Sequence, residues 1–123
     1  MQKALLLIYG DQELMSLTKR ILERVGFSVH GVTGLAGARG YFADIKPDLV
    51  IIGNDLPDGN GLDYCRELRQ GSGVPILFVS GNRDDELPAL QARANDFIKK
   101  PYIFDIMLAR INIVLNGAIT HLN

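Results

Sequence analysis

The chain alternates short, almost wholly apolar runs with longer stretches in which apolar residues recur every three or four positions. Ala4 to Tyr9 is the first such run and is closed by Gly10-Asp11, which is how a strand buried on both faces of a parallel sheet reads. Asp11-Gln12 then offers a helix N-cap, and Leu14, Leu17, Ile21, Leu22 and Val25 form one apolar stripe that ends at Gly26. Phe27 to Val32 predicts a second strand, and Leu35 to Ile45 a second helix. Gly37 and Gly40 each cost that helix about 1 kcal/mol relative to alanine, so it is expected to be loose. Lys46-Pro47 closes it, and Asp48 to Gly53 reads as a third buried strand. A turn-forming loop from Asn54 to Gly61 leads into a helix from about Leu62 to Arg69. Val74 to Ser80 is the fourth strand, Pro88 to Arg93 a short helix, and Asp96 to Lys99 a brief fifth strand. After Pro101 a last helix runs from about Phe104 to Leu115.

Five alternations of strand and helix predict an α/β fold, a doubly wound five-stranded parallel sheet with right-handed crossovers and helices on both faces. Any chemistry then belongs at the carboxyl ends of the strands, where strand order reverses. Tyr9, Gly10, Asp11, Gly53, Asn54, Asp55, Ser80, Gly81, Lys99 and Lys100 are the residues placed there.

Length and composition narrow the class. A chain of 123 residues has the size of one domain, and 47% apolar with 22% charged residues excludes a disordered or low-complexity chain. The net charge of −1 lacks the basic excess used to bind nucleic acid or an anionic membrane, so neither is expected as a direct partner. Cys65 has no second cysteine to pair with, and no apolar run reaches the ~18 residues of a membrane span, so a cytoplasmic protein is expected.

Several motifs in order resemble the response-regulator receiver domain of two-component signalling. They are Pro47-Asp48-Leu49-Val50-Ile51-Ile52, Leu56-Pro57-Asp58-Gly59-Asn60-Gly61-Leu62, Val74-Pro75-Ile76 with Ser80, and Lys100-Pro101. The resemblance spans essentially the whole chain and implies the flavodoxin-like (βα)5 receiver fold. It also implies a site in which two acids at the end of the first strand hold Mg²⁺ and an aspartate ending the third strand accepts a phosphoryl group. A Ser or Thr and a Lys contact the phosphoryl oxygens. A hard cation wants carboxylate oxygens and the nucleophile must be a carboxylate.

Carried onto this chain, the acceptor position lies four residues before Pro57, on Gly53, and the acidic pair falls on Tyr9 and Gly10. Ser80 and Lys100 match the phosphoryl-sensing positions, and Phe97 the aromatic whose rotation reports activation in the family. The expectation is a degenerate receiver, or pseudo-receiver, with no catalytic residue, metal or cofactor. Removing three mutually repelling carboxylates would remove the need for a cation. Lys100, deprived of its usual partners, is expected either to reach solvent or to pair with Asp11 or Asp55.

Asp11 and Asp55 are candidate residual acids: Asp11 as a surviving metal ligand or an N-cap, Asp55 as a displaced phosphoacceptor or a turn carboxylate. A phosphotransfer-competent receiver using Asp55, and a small-molecule-binding doubly wound domain with a ligand between Tyr9, Gly53 and Ser80, are the alternatives. His30 and His121 are expected to be solvated, and Cys65 to be a small core residue.

The segment from Ser80 to Lys100 is two residues shorter than the resemblance implies, which changes the surface that receivers present to partners. In the last helix Leu108, Ile111 and Leu115 can supply an inner stripe, which leaves Ile106 and Ile113 outside it. With Ile103 they mark an expected homodimer or partner interface. Residues 1–118 are expected to form the receiver-like domain and 119–123 a tail or the start of a linker to an output domain, which could bind DNA.

Overall fold

A computed structural model describes residues 2–117. The expected tail, with His121 and the domain boundary, lies outside the described residues. Five parallel strands form the sheet: β1 (Ala4–Ile8), β2 (Ser28–Val32), β3 (Leu49–Gly53), β6 (Ile76–Ser80) and β7 (Asp96–Lys99), in the order β2-β1-β3-β6-β7. The helices are α1 (Gln12–Arg24), α2 (Leu35–Ile45), α3 (Gly61–Arg69), α4 (Glu86–Gln91) and α5 (Phe104–Leu115). Strand order reverses between β1 and β3, which brings Tyr9, Gly10 and Gly53 together at one end of the sheet.

Successive strand residues point to opposite faces, and this alternation divides the core into two layers. Leu6, Ile8, Val50, Ile52, Ile76 and Phe78 pack under α2, α3 and α4 against Leu35, Ala38, Tyr64, Cys65, Leu68 and Ala89. Leu5, Leu7, Leu49, Ile51, Leu77 and Val79 pack under α1 and α5 against Met15, Leu22, Met107, Ile111 and Val114. Every residue of β3 and β6 is buried, as their unbroken apolar sequences predict.

Three details differ from the sequence reading. The buried face of α1 is Met15, Thr18 and Leu22, one position round from the expected stripe, and Leu17 and Val25 are 53% and 51% exposed. A hidden threonine disguised the true stripe, which keeps the same three-four spacing. Likewise α5 buries Met107, Ile111 and Val114, with Leu108 and Leu115 only partly buried beside them. The fourth helix is entered two residues earlier than expected, through a 3₁₀ turn at Arg83–Asp85. Pro88 fits inside it because a first-turn residue has no intrahelical partner for an N–H.

The expected loop after β3 folds as a small hairpin, β4 (Asp55–Leu56) against β5 (Gly59–Asn60). Its tip supplies a cap in trans. Gly34, at the N-cap of α2, has no side chain to offer, and the Asp58 carboxylate accepts instead from the amides of Leu35 at 2.7 Å and Ala36 at 3.1 Å. Those bonds to the charged form lower the Asp58 pKa.

Candidate functional site: the cleft at the carboxyl ends of β1, β3 and β6

At the carboxyl edge of the sheet a cleft of about 220 Å³ is lined by Tyr9, Gly10, Asp11, Gly53, Asn54, Asp55, Ser80 and Lys100, with Leu14, Val79 and Gly81. Topology assembles it, since nearly all of these residues close or follow four neighbouring strands, β1, β3, β6 and β7.

Tyr9 is 2% exposed. Its hydroxyl lies 3.2 Å from that of Tyr102, and burial, reinforced by Tyr102, pushes its pKa well above the usual tyrosine value. The ring therefore belongs to the core and presents a neutral phenol. A methyl on Gly53 would stand 3.5 Å from the Tyr9 ring and 3.8 Å from the Val79 carbonyl oxygen, ordinary contact distances. Gly10 is different. A methyl there would lie 2.3 Å from the Asp55 carbonyl oxygen, so the loop that follows β3, where it enters β4 at Asp55, closes onto the end of β1 in a way that only glycine admits.

Asp11 is the N-cap of α1, its carboxylate accepting from the amides of Glu13 at 2.9 Å and Leu14 at 3.1 Å. Asp55 is exposed on β4. Lys100 is half-buried along the cleft, and among the described residues no ion pair joins it to Asp11 or Asp55. The Lys100 backbone amide donates to the Ser80 carbonyl at 2.8 Å.

A divalent cation of the Mg²⁺ class needs several oxygen ligands in near-octahedral array, and the donors here do not fit one. A buried phenol and a glycine stand at the end of β1, a glycine ends β3, and the Asp11 carboxylate is committed to its helix. Among the described residues no group of three His, Cys, Asp or Glu side chains is placed to hold a metal.

Ser80 is buried, and its hydroxyl is engaged. It donates to Asp85 Oδ2 at 2.6 Å and accepts from the Asn82 amide at 3.0 Å. Asn54 Nδ2 donates to the same Asp85 oxygen at 3.2 Å. Sequence reasoning missed Asp85, because a carboxylate in a polar loop carries no signal of what it will reach. Phe97 is buried and stacks on Phe78 with ring centroids 6.2 Å apart, so it points into the core. Cys65 is buried, its thiol 3.5 Å from the Ala92 carbonyl, and His30 lies exposed against the Tyr41 ring at 4.0 Å. Ile103, Ile106 and Ile113 are 71%, 48% and 52% exposed.

A family model described as the response regulator receiver domain matches residues 5–112. The chain belongs to that family. Among curated receiver relatives it is 40% identical over 114 residues to the sensory transduction protein BceR of Halalkalibacterium halodurans, covering 90% of this chain and 49% of that protein. It is 33% identical over 113 residues to the uncharacterized transcriptional regulatory protein YvcP of Bacillus subtilis, covering 90% and 48%. The chain thus spans about half the length of the curated relatives it matches.

Among solved receivers, a two-component response regulator from Clostridium difficile superposes with a TM-score of 0.88 at 27% identity, over 94% of this chain and 97% of the other. A CheY-like receiver from Methanospirillum hungatei gives 0.89 at 22% identity, over 98% and 99%, and speaks to the fold alone. Among the described residues of this receiver no helix is long and apolar enough to cross a membrane.

Proposed function

We propose that this receiver regulates through protein contacts without accepting a phosphoryl group. The observation that carries the reading is the carboxyl end of β3, where Gly53 offers hydrogen in place of a nucleophilic oxygen. Tyr9 and Gly10 at the end of β1 add to it: the first fills its volume with a core ring, and the second is overlain by the Asp55 carbonyl. The retained Ser80 and Lys100 then serve to fix the loops of the cleft, and no cofactor takes part.

The surface through which it acts is the exposed apolar side of α5 and the residue before it, Ile103, Ile106 and Ile113, together with Leu87 and Leu90 on α4. Exposed apolar seams of this kind mark association surfaces, and a second copy of the chain is the occupant we assign. In the whole cytoplasmic protein the receiver is joined to an output domain. The name of the YvcP relative, a transcriptional regulatory protein, supports an output that acts on DNA.

The experiment is a titration with Mg²⁺ and beryllofluoride, a non-covalent phosphoryl mimic, followed by amide resonances. The spectrum is expected to stay unchanged. Shifts concentrated on Gly53, Asn54 and Ser80 would overturn the reading. Light scattering of the wild type and of an Ile106→Lys, Ile113→Lys variant tests the surface: a concentration-dependent dimer lost in the variant supports it, and a monomer in both removes it.

A further inference from the structure

Asp85 stands where an N-cap aspartate would be, immediately before α4, yet its carboxylate makes no capping bond to that helix. It turns instead to the end of the sheet, accepting hydrogen bonds from the Ser80 hydroxyl at 2.6 Å and from the Asn54 side-chain amide at 3.2 Å. An N-cap carboxylate ordinarily binds the amides two and three residues on. Here the second of those residues is Pro88, which has no N–H. Pro88 thus withdraws one of the donors that would compete for Asp85, and the carboxylate is left to Ser80 and Asn54.

From this geometry we infer that Asp85 is a built-in anionic latch, holding α4 against the ends of β3 and β6 through Ser80 and Asn54 with no phosphoryl group in the cleft. A hydroxyl has one proton to donate, and Asp85 holds that of Ser80. Any anion entering the cleft would have to displace Asp85 before Ser80 could bind it. The 2.6 Å separation falls in the range of charge-assisted O–H···O⁻ bonds, roughly twice as strong as neutral ones. The second donor adds to the tie, because Asn54 is itself fixed: its backbone carbonyl accepts from the Gly61 amide at 2.9 Å and its side-chain Oδ1 from the Leu62 amide at 3.4 Å. The end of β3, the end of β6 and the start of α4 are therefore tied at one carboxylate. While the latch is closed, the face of α4 that carries Leu87 and Leu90 is held in one arrangement.

The regulatory meaning of the latch rests on the phosphorylation-independent reading above, but its test uses no phosphodonor, so failure here leaves that reading standing. Hydrogen–deuterium exchange of the wild type, Ser80→Ala, Asp85→Asn and the double variant would be followed on peptides covering residues 82–92 and on peptides from β1 and β3. Losing a hydrogen bond to a charged group is expected to speed exchange of the α4 peptides about ten- to a hundred-fold, with β1 and β3 unchanged. The double variant is expected to match the more affected single one, because Asp85→Asn removes the charge of the same tie that Ser80→Ala breaks. Unchanged exchange in α4, additive effects in the double variant, or equal acceleration across the whole sheet would each overturn the latch. Should Asp85→Asn not fold, Ser80→Ala carries the same expectation alone: local acceleration supports the latch, and its absence or a sheet-wide change overturns it.

Discussion

Replacing Gly10 by alanine probes how the cleft is closed. The added methyl would lie 2.3 Å from the Asp55 carbonyl oxygen and 3.6 Å from Leu56 Cα, both backbone atoms, so no side chain can swing away to make room. Reaching even the tightest real contact requires the loop to retreat by most of an ångström. That loop runs into the hairpin whose tip, Asp58, caps α2. Overpacking of this kind costs about 1–3 kcal/mol, against a gain of about 0.4–1 kcal/mol from the stiffer unfolded chain. The mid-range balance is a loss of about 1.3 kcal/mol, for a domain of this size a fall in Tm of roughly 4–6 °C.

Gly53→Ala is the matched control. It adds the same methyl one strand away, where the nearest atom is 3.5 Å distant, and its Tm is expected to stay level or rise. Thermal unfolding followed by circular dichroism reads both. A Gly10→Ala protein as stable as the wild type, or a Gly53→Ala protein less stable than Gly10→Ala, would refute the claim that the loop rests on the end of β1.

Further consequences follow from the same structure. Tyr9→Phe removes the 3.2 Å contact with the Tyr102 hydroxyl and should cost about 1 kcal/mol at neutral pH. It should also flatten the alkaline loss of stability. Because the folded-state pKa of Tyr9 is raised above its unfolded value of 10.0, the folded state keeps a proton that the unfolded chain releases, and stability falls as pH rises past that value. Tyr64, pushed up to about 12 chiefly by burial, falls in the same window, so the comparison is of slopes between variant and wild type in urea unfolding above pH 10. Arg69→Met is expected to destabilise by roughly 1.5–3 kcal/mol in denaturant titration. Its guanidinium donates to the carbonyls of Val74 at 2.6 Å and Arg93 at 2.9 Å and to Asn95 Oδ1 at 2.9 Å, which ties the end of α3 to both flanks of the β6–α4 segment. Gly40→Ala, in open space within α2, should raise stability by up to about 1 kcal/mol. Gly37→Ala should gain less, because its methyl would press on Val32 Cγ1 at 3.2 Å.

The strands β1, β3 and β6 are legible because burial on both faces leaves an unbroken apolar run, and α2, β7 and α5 begin and end where glycine, proline and periodicity place them. The strand ends followed from topology, so Tyr9, Gly53, Ser80 and Lys100 could be brought together before any coordinates. What was not legible depends on distances between segments far apart in sequence. Asp58 reaches back 23 residues to cap a helix that begins after a glycine. Asp85 passes over its own helix for Ser80, and Gly10 answers to a carbonyl 45 residues on. The stripe of α1 was misread by one position because Thr18, polar by type, is buried at 3% exposure. Gly34, a cap position lacking a side chain, is the one sequence signal that points to an acceptor from elsewhere.

The central claim is that no side chain of this receiver takes a phosphoryl group. Incubation with acetyl phosphate and Mg²⁺ followed at once by intact-mass spectrometry tests it most directly. The mass is expected to stay unchanged under conditions that label a receiver with an aspartate at the end of its third strand. A stoichiometric gain of one phosphoryl group, lost on Asp55→Asn, would contradict it.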